Sequence, residues 1–344
     1  VAIGAACIFP GPVHLRTFQY RGWEIVSLES DRLQVDIVPG KGGDILAVRW
    51  RPLEINLLWT SPWGLPAAGA IAAVSDSVTN FLSHYPGGWQ TIFPNGGDPS
   101  IEDGVELPFH GEACLVPWEW EMQGGHLRMR TRLHLVPFTL ERTITLDGPD
   151  LQVEETAVNE GGVEQEVMWS HHPAFGAPFI DAGCRIETDA RWFEADDERD
   201  TPAGDLEPGA RSDWPLARAR GEDPADLRIL PGPDTSMDRF GYLGGFENGI
   251  ATISNPKLDL SAQLSWTSST FPFAWYWLEA SATPGYPWYR SAYVFAIEPA
   301  SSYPGQGISN ARKKTDSLLK FEPGESRTVR LNLKVTGGGA SGAG

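Results

Sequence analysis

The stretch from Leu127 to Gly162 constrains the fold most. LRMRTRLHLVPF alternates charged and apolar side chains almost strictly from Leu127 to Leu135. FTLERTITLDG takes up the pattern after a proline-containing bend, and LQVEETAVNEGG follows before a Gly-Gly turn. A period of two sends alternate side chains to opposite faces, so each run is a strand with one buried and one wet face. Strands this close in sequence pair as antiparallel neighbours. VEQEVMWSHHPAF extends the series, so residues 127–175 read as one antiparallel meander.

The same texture covers the rest of the chain. WEIVSL, RLQVDIVP and ILAVRW precede the meander; CRIETDA, ENGIATISNP, LDLSAQLSWT, FAWYWLEA, SAYVFAIEP and SRTVRLNLKVTG follow it. The 38 glycines and 28 prolines punctuate the chain too often for a helical bundle. No strand–helix alternation appears, which excludes a doubly wound sheet. The one helix expected is short, within residues 71–87. The prediction is an all-β chain: a large antiparallel β-supersandwich forming one domain over residues 1–334, with a flexible Gly/Ser-rich tail over 335–344. Residues 187–226 are rich in charge, proline and glycine. They read as an excursion from that sandwich, because strands on both sides are needed to complete one core.

Composition removes several functions. Acidic residues number 45 against 27 basic, a formal charge of −18, and nucleic-acid binding requires a basic footprint. No apolar run reaches membrane-spanning length. The opening VAIGAACIFPG lacks the basic start of a signal peptide. Cys7, Cys114 and Cys184 are odd in number and widely spaced, which argues against a disulfide framework and for the cytoplasm. HExxH, CxxC, EF-hand and GxSxG patterns are absent, and PGKGGDIL, residues 39–46, reads as a β-turn rather than a phosphate loop. Neither metal nor cofactor is expected. The 14 tryptophans point the other way, toward a small-molecule cleft. An indole N–H needs a partner when buried, so part of this excess is expected to line a binding surface.

A few residues can carry chemistry. His171 and His172 lie in a strand entering a proline-containing segment, and a regular strand sends them to opposite faces. His110 stands directly before a glycine in LPFHGEA. Glu298 ends an apolar run in VFAIEP, which predicts burial. A carboxylate there is either hydrogen-bonded or carries a raised pKa, and the latter makes a usable general base near neutral pH. Each has a plain structural reading too: a core histidine, or a strand-end glutamate that caps amides. His14 and His134 suggest no role, His84 is ambiguous, and the basic run 312–314 reads as solvated surface.

In order, VDIVPGKGGDILAV (35–48), GGWQTIFPNGG (87–97), LPFHGEA (107–113), SHHPAF (170–175) and VFAIEP (294–299) resemble the motifs of the aldose 1-epimerase, or galactose mutarotase-like, superfamily. The resemblance runs over about residues 10–332. It implies a single β-supersandwich that interconverts the α and β anomers of a free sugar or sugar derivative by acid/base ring opening and closure. His172 would be the acid and Glu298 the base. His110, Trp89, Gln90 and Asn95 would contact the sugar, with Trp169, Trp277 and Trp288 as further surfaces. His171, at a position often filled by asparagine in the family, would join them in contacting the substrate. The family's arginine after the His-Gly pair is missing from HGEAC, so Arg49 or Arg290 would replace it. Asp234 or Asp238 would stand for the sugar-binding aspartate. The same scaffold serves other classes. A glycoside hydrolase or lyase would pair Glu298 with Glu112 or Glu279, since hydrolysis commonly uses two carboxylates. A carbohydrate-binding protein without turnover would need only the aromatic and amide surfaces. Oligomeric state is unreadable from these features.

Overall fold

The computed structural model describes residues 13–70, 76–199, 201–221 and 223–337. Among these, a twelve-stranded sheet packs on an eight-stranded sheet, and three small two-stranded sheets lie outside them. The strand ladders are antiparallel. This is the β-sandwich expected from the sequence.

The alternating runs build the eight-stranded sheet. His126–Arg132 pairs with Phe138–Asp147, which pairs with Asp150–Asn159. Leu127 and Met129 face the core while Arg128 and Arg130 face water, so burial follows the period of two. Ser326–Gly337 completes the centre of this sheet beside Asp150–Asn159. The rest of the expected tail, residues 338–344, lies outside the described residues, as do Cys7 and the opening segment. Cys114 and Cys184 are buried free thiols.

The meander ends sooner than its spacing suggests. Gln165–Val167 pairs with Leu319–Phe321, away from both large sheets. Ser170–Gly176 then crosses into the twelve-stranded sheet, between Trp89–Ile92 and Tyr293–Ala300. It has no wet face: all seven residues are buried. The reason is its place in the fold. One face packs against the other sheet, and the second lies beneath loops and a helix. Its neighbour Tyr293–Ala300 is buried in the same way, and so, beyond it, is Phe273–Ala280 except at Phe273.

The cover over that second face is short and irregular. The expected helix spans Ser77–His84, with Asp76 capping it through the Thr79 amide at 2.7 Å, and a second one, Gly307–Lys314, lies beyond the sequence expectation, with the basic run 312–314 in its last turn. Residues 71–75 of the expected helix lie outside the described residues. The 187–226 excursion is tied into the sandwich: Trp192–Ala195 enters the twelve-stranded sheet beside Met237–Gly244. No described helix is long and apolar enough to cross a membrane.

Candidate active site

The twelve-stranded sheet sets one row of side chains across its covered face. Gln90 is opposite His172 in register, Glu298 opposite Trp275, and Trp275 opposite Tyr242. The flanking pairs Ser170–Ala300 and Ala174–Ala296 place His172 beside Glu298. Facing residues on neighbouring strands are each other's closest side-chain contacts. The result is a His172 Nε2 to Glu298 Oε1 distance of 3.5 Å.

Above this pair is a cavity of about 420 Å³. His110, His172 and Glu298 all line it, although the first and last are 188 positions apart in the chain. Phe81 and Tyr85 from the helix side, with Trp275, Trp277 and Trp288, make most of its apolar wall. Rings crowd His172: Tyr85 and Trp277 each at 5.6 Å and His110 at 5.9 Å between centroids.

His110 is held by backbone geometry. Its φ is 60°, and Gly111 follows at 71°. A Cβ on Gly111 would lie 2.2 Å from the Phe93 carbonyl oxygen, so glycine is required there. The His110 amide donates to the Gly97 carbonyl at 3.0 Å, and the Gly97 amide donates back to His110 Nδ1 at 3.1 Å. An accepting Nδ1 leaves the ring proton on Nε2, so neutral His110 is a hydrogen-bond donor through Nε2.

Burial sets the charges. It pushes the Glu298 carboxyl well above its ordinary range, opposed in part by the Arg199 charge. It pulls the His172 imidazole down to about 4, and it pulls His110 well below its usual value with help from His172. Burial thus pushes both partners of the central pair toward their uncharged forms, which together carry one proton. A protonated His172 beside an ionised Glu298, the arrangement implied by the resemblance, carries the same proton with its position reversed. Glu298 Oε2, His172 Nδ1, Tyr85 OH and Trp277 Nε1 are buried polar atoms with no hydrogen-bond partner among the described residues. Such atoms are costly in a folded core. Their concentration around one cavity suits a polar guest.

The other sequence candidates fall elsewhere. His171 points to the opposite face, between the sheets. There its Nδ1 accepts from Trp89 Nε1 at 3.0 Å, and its Nε2 is 3.6 Å from Glu155. Glu155, in the eight-stranded sheet, also accepts from Arg142 at 2.6 Å and Trp169 at 3.0 Å, and its bond from Thr91 Oγ1 at 3.0 Å ties it to the twelve-stranded sheet. Trp89 and Trp169 are thus core residues. Gln90 donates to Asp44 and to the Gly87 carbonyl, beneath the cover but off the cavity wall. Asn95 fastens the cover: it donates to the Asp98 and Pro108 carbonyls and accepts from the Ile308 amide. Arg290 is exposed, and Arg49 pairs with Asp36. Asp234 is exposed in a short turn. Glu112 accepts from the His134 and Leu135 amides, and Glu279 from the Ala282 and Thr283 amides; neither lines the cavity.

The arginine that does line the cavity is Arg199, from the excursion. Asp238 holds it at two points, 2.9 Å from Nε and 2.8 Å from Nη2, so Asp238 acts behind the cavity wall. No local pattern marks Arg199 in ADDERDTP, because its place depends on a partner 39 positions away. Tyr85 likewise carries no local signal of its place on the cavity wall, although it directly precedes the PGGWQ motif.

In fold, this sandwich is similar to galactose mutarotase-like proteins of known structure. A Klebsiella pneumoniae protein provisionally named aldose 1-epimerase superposes with a TM-score of 0.70 at 16% identity, over 95% of this chain and 84% of that one. A galactose mutarotase-like protein from Clostridium acetobutylicum gives 0.65 at 14% identity, over 95% and 99%. One from Lactobacillus casei gives 0.64 at 16%, over 91% and 100%. At such identities the likeness is one of fold. The chain belongs to the family described as Domain of unknown function (DUF4432), whose model matches residues 20–210 and 243–335. No curated protein matches it significantly.

Proposed function

We propose that the protein is an aldose 1-epimerase, interconverting the α and β anomers of a free sugar. The observation that carries this reading is the His172–Glu298 pair, 3.5 Å apart on the floor of a cavity sized for a monosaccharide, with polar atoms left free on both side chains. Mutarotation needs two proton transfers and nothing more. One group takes the proton of the anomeric hydroxyl while the other protonates the ring oxygen. The bond from the anomeric carbon to the ring oxygen breaks, and an open-chain aldehyde forms. Rotation about the adjacent carbon–carbon bond presents the other carbonyl face, and closure returns both protons.

The uncharged pair suits this exchange. Glu298 as the acid gives its proton to one sugar oxygen while the neutral His172 imidazole accepts from the other, and closure reverses the roles. Neither step builds a lone charge in the buried site, where such a charge would be costly. His110 Nε2, Tyr85 OH and Trp277 Nε1 supply donors to sugar oxygens. Trp277 and Trp288 offer ring faces to the apolar side of a pyranose. The mutarotase-like neighbours support a carbohydrate ligand. The test is anomer exchange followed by NMR after a pure anomer is dissolved with the protein. Faster equilibration than in buffer supports the reading; cleavage of a glycoside without anomer exchange would replace it with hydrolysis.

A further inference from the structure

Beyond the central pair, the cavity has an acidic sector. Asp98, Asp196 and Glu198 line it, in addition to Glu298. Partial desolvation raises the Asp98 carboxyl although the residue is exposed, and the nearby charges of Glu198 and Asp196 raise it further. Against them stands Arg199, the one cationic side chain on the wall among the described residues. Its guanidinium is committed to Asp238, and Lys314, bound to Asp197 and Glu198 at 2.8 Å, does not line the cavity.

The hydrogen-bond balance runs in the same direction. Asp196 accepts from Tyr242 OH and Gln306 Nε2. That second bond fixes the Gln306 amide, and Gln306 is only 6% exposed. Its Oε1 is buried without a partner, on a residue that lines the cavity. The Asp98 carboxylate has no hydrogen-bond or ion-pair partner among the described residues. Free acceptors therefore collect here beside the negative charge of Asp98, Asp196 and Glu198, of which Glu198 alone is seen to have an ion-pair partner among the described residues, in Lys314.

We propose that the cavity selects its sugar by charge: it takes a protonated amino sugar in preference to the neutral parent sugar, and rejects uronates and sugar phosphates. The proposal rests on the reading of this cavity as a sugar site. An ammonium is a donor only, with three N–H groups, so it matches the Asp98 carboxylate and Gln306 Oε1. A carboxylate or phosphate would set acceptors against acceptors and anion against anions, a mismatch that excludes a ligand more sharply than a missing contact does. A neutral hydroxyl donates one hydrogen bond without the charge and ranks between the two.

Binding is measured separately from turnover, so the two readings fail differently. Glucosamine, glucose, glucuronate and glucose 6-phosphate are titrated by calorimetry, in buffer below the pKa of the amine, and galactosamine with galactose gives a second pair. The expected order is amino sugar, then neutral sugar, then the two anions, with roughly tenfold between steps, the scale of one hydrogen bond to a charged group. Asp98→Asn and Glu198→Gln, both at exposed side chains, should shrink the ratio of amino to neutral affinity toward one. Tightest binding of an anion, equal binding of all four, or no binding at millimolar concentration would overturn the proposal. The expected order without anomer exchange would uphold charge selection and remove the epimerase reading.

Discussion

Replacing His172 with asparagine tests the buried pair through protein stability. In the fold burial holds the imidazole at about 4, against an ordinary value of 6.5 in the unfolded chain. Between those two pH values the unfolded state binds the proton and the folded state does not. Stability contributed by the neutral ring is therefore present above pH 6.5 and lost as pH falls toward 4. The shift corresponds to about 3 kcal/mol across the window, at roughly 1.4 kcal/mol per pH unit. Asparagine does not titrate, so His172→Asn should escape this loss. The assay is urea unfolding of both proteins at several pH values from 7 to 4. The variant is expected to lose about 3 kcal/mol less than the parent over that range, whatever its stability at pH 7. The buried His171 contributes to both proteins and largely cancels in the difference, while His110, lowered in part by His172, is released slightly in the variant and adds to the effect with the same sign. Parallel pH profiles would show that His172 is not held neutral by burial, and the proton assignment in the pair would fall with it.

Three further outcomes follow from named contacts. Glu298→Gln should stabilise the fold by about 1–2 kcal/mol at neutral pH, as expected where function holds an unfavourable group in place. Because the Glu298 carboxyl is raised in the fold, that gain should grow with pH above the unfolded carboxylate value; chemical unfolding at pH 5 and pH 8 reads it. Glu155→Gln leaves Arg142 uncompensated between the sheets and should cost about 3–5 kcal/mol, measured by the urea midpoint. Gly111→Ala meets the Phe93 carbonyl at a left-handed position, so thermal unfolding should show a loss of about 2–3 kcal/mol, and kcat/KM should fall further as His110 moves.

The sandwich was legible because its outer strands carry the pattern in their own residues. His126–Arg132 reads as half-buried from its alternation, and it is. Ser170–Gly176 resisted the same reading, since a strand covered on both faces has no alternation to show. Its pairing partners are also distant in sequence, near residues 90 and 296. The site divides along the same line. His110, His172 and Glu298 sit in short motifs whose order the sequence displays. Trp89, Gln90 and Asn95 share a motif with the cavity loop, but their side chains turn into the scaffold, and motif membership does not encode direction. Arg199 belongs to a charge-rich stretch in which nothing local distinguishes one arginine from another. Its contacts with Asp238, its amide bond to Asp196 and its packing over the Phe240 ring set it on the cavity wall.

The most direct test of the account is NMR exchange spectroscopy between the anomeric protons of aldoses and hexosamines, with the parent protein, Glu298→Gln and His172→Asn compared at equal concentration. The account predicts anomer exchange well above the buffer rate for at least one sugar, and a loss of roughly 10²–10⁴-fold in each variant, the scale of a positioned proton-transfer group. Buffer-rate exchange for every sugar, or undiminished exchange in both variants, would contradict it.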